Sequence, residues 1–71
     1  MHKISIKTDF ITLGQLLKLS GVITNGGEAK FFLLNNKILV NGEAENRRGR
    51  KLFGSEIVKI NDDFELFVEK K

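Results

Sequence analysis

"KILVNGEAENRRGRKLF", residues 37–53, decides how this 71-residue chain is read. The apolar run Ile38-Leu39-Val40 followed by Asn41-Gly42 signals a hairpin, because a two-residue Asn-Gly loop takes the type I′ turn whose twist matches that of paired strands. "EAE" starts the returning arm, which runs straight into Arg47, Arg48, Gly49, Arg50 and Lys51. These are all three arginines of the chain. A guanidinium presents a planar fork of donors that matches phosphate geometry, which an ammonium does not. In an extended arm Arg48 and Arg50 face one way, with Arg47 and Lys51 toward other sides. Gly49 lets the backbone bend there or approach a ligand closely. Like charges repel when unpaired, so the cluster predicts an anion-binding prong. The competing reading is a solvated loop partly neutralised by Glu43 and Glu45.

Charge elsewhere sharpens the contrast. Residues 1–29 carry +1, residues 30–51 carry +4 with Lys30 and Lys37 added to the arginine stretch, and residues 52–71 carry −2. A basic middle beside an acidic tail predicts a one-sided surface for a polyanion. The chain has no cysteine and a single histidine, His2. Zinc-finger, iron–sulfur and thiol-redox chemistries are thereby excluded, and no metal or cofactor is expected. No window approaches the roughly 18 apolar residues of a membrane helix, and no signal-like run opens the chain. The expectation is one small domain over residues 1–71, soluble and cytoplasmic, with no membrane partner.

Working outward, "KISIK" (3–7) alternates as a half-buried strand with Ile4 and Ile6 on one face. Thr12 is placed to cap a helix over "LGQLLKLS", with Leu13, Leu16 and Leu17 on one stripe and Gly21 at its end. After a turn at Asn25, Gly26 and Gly27, "EAKFFLLNN" reads as a second helix, with Glu28 suited to its first turn. Ala29, Phe32 and Leu33 make an apolar stripe that Phe31 and Leu34 widen, so this helix is expected to be buried on most sides. Lys30 and Lys37 fall on nearly one side if the helix extends that far, while Asn35 and Asn36 end it. "EIVKI", the turn "NDD" and "FELFVEK" form a second hairpin. Its last strand sends Phe64, Leu66 and Val68 to one face and Phe67 to the other, with Glu65 and Glu69. The expected class is α+β: two short helices, helix-turn-helix-like, on an antiparallel or mixed sheet of about four to five strands.

Other candidate sites are weaker. A DNA-reading second helix must show polar groups to base edges, which "EAKFFLLNN" does not. Asp62-Asp63 is an acidic pair of the turn-forming kind. "NGGEAK" places glycines before a helix but lacks the Lys-Ser/Thr of a P-loop. His2 has no nucleophile or acid to complete a catalytic set, so no enzyme and no small-molecule substrate are expected. Phe67 could stack on a base, but Glu65 and Glu69 flank it, which favours packing or a protein contact.

Taken in order, these pieces resemble the S-four RNA-binding domain, also called the αL motif, over residues 12–60. The matching residues are "LGQLLKLSGV" as the first helix, Ala29-Lys30 where the family carries basic residues in helix two, "ILVNG" as the hairpin, and "GSEI" (54–57) for the Gly-Asp-x-Ile that opens the final strand. The whole stretch "GGEAKFFLLNNKILVNGEAENRRGRKL" looks like the short stand-alone bacterial members. Many members open helix one with Arg-Leu-Asp-Lys; here it is Thr12, Leu13, Gly14 and Gln15, so helix one brings less charge. The resemblance implies binding of structured RNA, ribosomal or transfer RNA, with Lys30, Lys37, Arg47, Arg48, Arg50 and Lys51 on phosphates and Gln15, Lys18 and Asn41 at the edges. Ribosomal proteins are further possible partners. The alternative is a protein-interaction module docking through Phe67 or the outer strands on a ribosomal or replication protein.

Overall fold

The computed structural model describes residues 2–71. The element order is β1 (His2–Ile6), β2 (Ile11–Thr12), α1 (Leu13–Leu19), a 3-10 turn (Gly26–Glu28), α2 (Ala29–Asn35), β3 (Ile38–Val40), β4 (Glu43–Ala44), β5 (Lys51–Leu52), β6 (Ile57–Ile60) and β7 (Phe64–Lys70). Five strands form one mixed sheet in the order β1-β7-β6-β3-β4, with β1 parallel to β7 and the remaining pairs antiparallel. A separate two-stranded ribbon pairs β2 with β5. The α+β class expected from the sequence is therefore present, with the ribbon as an addition.

Local chemistry accounts for each boundary. Thr12 caps α1 through its hydroxyl to the Gln15 N–H, and the Gln15 side-chain oxygen accepts from the Thr12 N–H, a reciprocal capping box. At the other end the Gly21 N–H donates to the Lys18 carbonyl and the Val22 N–H to the Leu17 carbonyl, with Gly21 at φ +82°. That is the Schellman arrangement, and it needs the left-handed backbone that glycine adopts without cost. Asn41 (φ +50°) and Gly42 (φ +85°) give the expected type I′ turn between β3 and β4. Asn61 and Asp62, also at positive φ, turn β6 into β7. The Asn61 side chain accepts from the Lys37 N–H and donates to the Asn36 side chain, tying the end of α2 to that turn.

Leu13, Leu16 and Leu17 of α1 pack with Ala29 and Leu33 of α2 over Val40, Val58, Leu66 and Val68 of the sheet, all buried. The period-two pattern of β7 holds: Leu66 and Val68 are buried in this core, and Phe67 takes the other face, opposite Ile57. That outer face keeps Ile57 exposed, as antiparallel sheets commonly do. His2 lies in β1 with its ring 4.8 Å from that of Phe64.

Three expectations need correction. The second helix is buried on one side, not on most: Phe31 and Leu34 are 66% and 65% exposed, because among the described residues no element covers the outer side of α2. A face of Phe and Leu still offers base edges no hydrogen-bonding groups, so α2 is unsuited to groove reading by its chemistry rather than by burial. Lys37 lies beyond the end of α2 at Asn35 and does not share a helical side with Lys30. The returning arm of the first hairpin stops at Ala44, so the arginines occupy a turn rather than an extended strand.

Gly54 sits at φ +126°, where an added Cβ would lie 3.0 Å from Lys70 Cβ, whereas Gly26 has open space around it. Gly54→Ala is expected to lower unfolding free energy by about 1–2 kcal/mol or more, against less than about 0.5 for Gly26→Ala, as read from urea denaturation.

Candidate nucleic-acid interface

The arginine turn is built on a carboxylate. Glu45 follows β4 and turns inward, its side chain 5% exposed. Its oxygens accept from the N–H groups of Asn46 and Arg47, from Arg47 Nε at 2.9 Å and Nη2 at 3.1 Å, and from Arg50 Nη1 at 2.8 Å. Burial of a carboxylate is costly unless it is paired and fully hydrogen-bonded, and here it is both. The Arg47 side chain, chiefly, holds the Glu45 pKa down to about 2, with Arg50 assisting against the opposing effect of burial. Glu45 in turn raises the Arg47 pKa. Arg47 spends the fork of its guanidinium on Glu45 and leaves its remaining N–H groups in solvent, with 72% of the side chain exposed. Arg50 spends one nitrogen.

The turn itself closes by the Arg50 N–H donating to the Arg47 carbonyl, which places Arg48 and Gly49 at its tip. The loop then docks by its backbone on α1: the Leu13 N–H donates to the Arg50 carbonyl at 2.8 Å and the Gly14 N–H to the Arg48 carbonyl at 2.9 Å. A Cβ on Gly14 would sit 3.4 Å from the Arg48 oxygen, 3.5 Å from Arg48 Cβ and 3.6 Å from Ala29 Cβ. The start of α1, the first turn of α2 and the arginine turn thus meet at one point; Lys30, the residue after Ala29, is exposed. Arg48 is exposed and has no carboxylate within ion-pair distance among the described residues.

The other candidates divide. Lys51, in β5, holds its ammonium 4.8 Å over the Phe10 ring. Lys37 contributes to a groove with Leu33, Ala44, Glu45 and Asn46, which brings it to the arginine side, but its ammonium is shared with Asp62 at 3.4 Å. Gln15 spends its carbonyl oxygen on the α1 cap. Asn41 spends its own on the Ile57 N–H, fastening the hairpin turn to β6. Lys18 lies in a different groove, with Lys7, Phe10 and Leu19. The "NGGEAK" turn is ordered and already occupied: the Glu28 carboxylate accepts from the N–H groups of Thr24 and Asn25 and from the Thr24 hydroxyl, which chiefly lowers its pKa. An anion would meet that carboxylate first.

Sequence reasoning treated Glu43 and Glu45 alike, yet Glu43 is exposed and Glu45 organises the turn. Gly14 and the pair Phe10–Phe53 were not singled out. A glycine inside an otherwise leucine-rich helix was the available signal for a close approach.

Because the Glu45 pKa is lowered on folding, its contribution is present above the unfolded carboxylate value of 4.5 and is lost as pH falls toward about 2. Glu45→Gln is expected to cost roughly 1–2 kcal/mol at pH 7 after allowing for solvent screening. The gap between variant and parent should shrink between pH 5 and pH 2 in urea unfolding measured across that range.

Comparison with known proteins gives the family. A family model described as the S4 domain matches residues 4–69. Over 59 residues the chain is 58% identical to a Bacillus subtilis (strain 168) protein described as a probable ribosome maturation protein, RlbA, and the match covers 83% of each chain. A match across nearly the whole of β1 through β7, with more than half the aligned residues shared, leaves one assignment: the chain belongs to the S4 domain family.

Proposed function

We propose that this protein binds structured RNA, ribosomal RNA or an assembling ribosomal subunit, through phosphate and shape contacts made by the arginine turn and its neighbours. The observation that carries the reading is the Glu45 clamp: one buried carboxylate aims two guanidiniums while Arg48 stands unpaired between them. Neutralisation by one acid of two arginines leaves the turn positive, and Lys51 and Lys30 add to it. The α1-turn-α2 arrangement is read as the αL motif of the family, docked on the turn at Gly14. The printed description of the Bacillus relative supports a ribosomal target, and such a target implies action in the cytoplasm. The protein acts by binding, with Lys37, Lys18, Gln15 and Asn41 at the margins. A-form helices hide their bases in a groove side chains cannot read, so recognition is of backbone and shape.

A second reading rests on the outer sheet face, where Ile57 and Phe67 pair across strands with no element over them among the described residues. That face suits a protein contact, such as a ribosomal protein. Partners captured from lysate that survive ribonuclease treatment would favour it; partners lost on digestion favour RNA.

With about four to six phosphates engaged, log affinity should fall against log salt with a slope of about −3 to −5. Arg48→Ala, which breaks no internal ion pair, is expected to weaken binding to all structured RNAs alike and to flatten the slope by about 1. Filter binding across a salt series reads both; an unchanged affinity refutes the site.

A further inference from the structure

Phe10 and Phe53 are 37% and 57% exposed, and neither belongs to the core. Their position follows from the β2–β5 ribbon. Its register pairs Ile11 with Leu52 and Thr12 with Lys51, so one further step sets Phe10 across from Phe53. Ile11 and Leu52 point into the core; period-two alternation therefore sends Phe10, Thr12, Lys51 and Phe53 to the outer side. The contacts agree, with ring centroids 6.0 Å apart at 56° and the Lys51 ammonium 4.8 Å over the Phe10 ring. Both ring-bearing backbones are pinned. The Thr8 hydroxyl donates to the Phe10 carbonyl at 2.7 Å, and the N–H groups of Phe53 and Gly54 donate to the Glu56 carboxylate, each at 2.7 Å.

This aromatic pair sits at the root of the arginine turn, since Lys51 joins the two. Around it, Lys7 and Lys18 line the adjoining groove, and Lys70 stands near Gly54. The negative groups nearby are Asp9, 3.8 Å from the Lys70 ammonium, and Glu56, which is turned to backbone N–H groups. A platform of apolar rings rimmed by cations fits a ligand with a flat π-face and a negative backbone.

We infer that the outer face of the β2–β5 ribbon is a stacking platform for an unpaired nucleotide, with the Phe53 ring against the base and Lys51 and Arg48 on the flanking phosphates. This rests on the RNA-binding reading above and extends it to the junction between a stem and a single strand. Within a stem both faces of every base are buried in the stack and only the end pair shows one, so an unpaired base is the fuller partner for the ring. Ring-on-base stacking tolerates any base, so the platform selects for single-strandedness rather than sequence.

The test uses the full chain and two RNAs: a stem closed flush, and the same stem with a short unpaired adenosine tail carrying a fluorescent adenine analogue. The parent protein is expected to bind the tailed stem about tenfold more tightly than the flush one and to quench the analogue. Phe53→Leu should abolish both the tail's advantage and the quenching while leaving flush-stem affinity unchanged, and Phe53→Tyr should retain them. Phe10→Leu provides a second variant should Phe53→Leu fold poorly by circular dichroism, and is expected to reduce the quenching. Salt-sensitive binding of both stems with no gain from the tail overturns the platform and leaves the RNA reading intact. Binding to neither stem overturns both. A Phe53→Leu protein that keeps the tail's gain but loses a ribonuclease-resistant protein partner assigns the ring to a protein contact and also overturns the platform.

Discussion

The N–H groups that open a helix have no partner within it, and in α1 that requirement shapes the whole basic surface. Thr12 and Gln15 satisfy each other's N–H groups by side chain, while those of Leu13 and Gly14 are taken by the carbonyls of Arg50 and Arg48. The arginine loop is thus fastened to the helical layer by its peptide backbone, and its side chains are not needed for attachment. Glu45 supports the same loop from beneath with five accepted hydrogen bonds. The Arg47 and Arg50 side chains, which would otherwise wander and repel, are held on Glu45, so a ligand would meet them already ordered.

The position of Gly14 is part of the same constraint. Its missing side chain lets the Arg48 peptide and Ala29 approach α1 together. A small residue in an otherwise leucine-rich helix therefore admits the arginine loop to the helical layer.

Local signals made much of this visible in the sequence. Thr12 as a cap, Gly21, Asn41-Gly42 and the Asn61-Asp62-Asp63 turn are determined by chemistry within a few residues, and each forms where the pattern places it, whereas Gln15, expected at the RNA edge, completes the cap. What depended on distant partners was not legible. Phe31 and Leu34 look like core until it is known that, among the described residues, no element lies over the outer side of α2. Glu45 and Glu43 are indistinguishable until one of them is buried. The β2–β5 ribbon has two residues per strand, too few to show any period, so Phe10 and Phe53 had no reason to be considered together. The arginines themselves were found by composition, but their orientation was set by a helix more than thirty residues earlier in the chain.

The parallel pairing of β1 with β7 carries a consequence for the edge of the sheet. Ile4 aligns with Val68 and Ile6 with Lys70, so strands more than sixty residues apart in the chain lie side by side. Closing so long a loop adds little to the equilibrium cost, since that cost grows only with the logarithm of length. Without β1, β7 would present a bare hydrogen-bonding edge along the flank of the sheet. β1 seals that flank, and the exposed edge passes to a strand of only five residues.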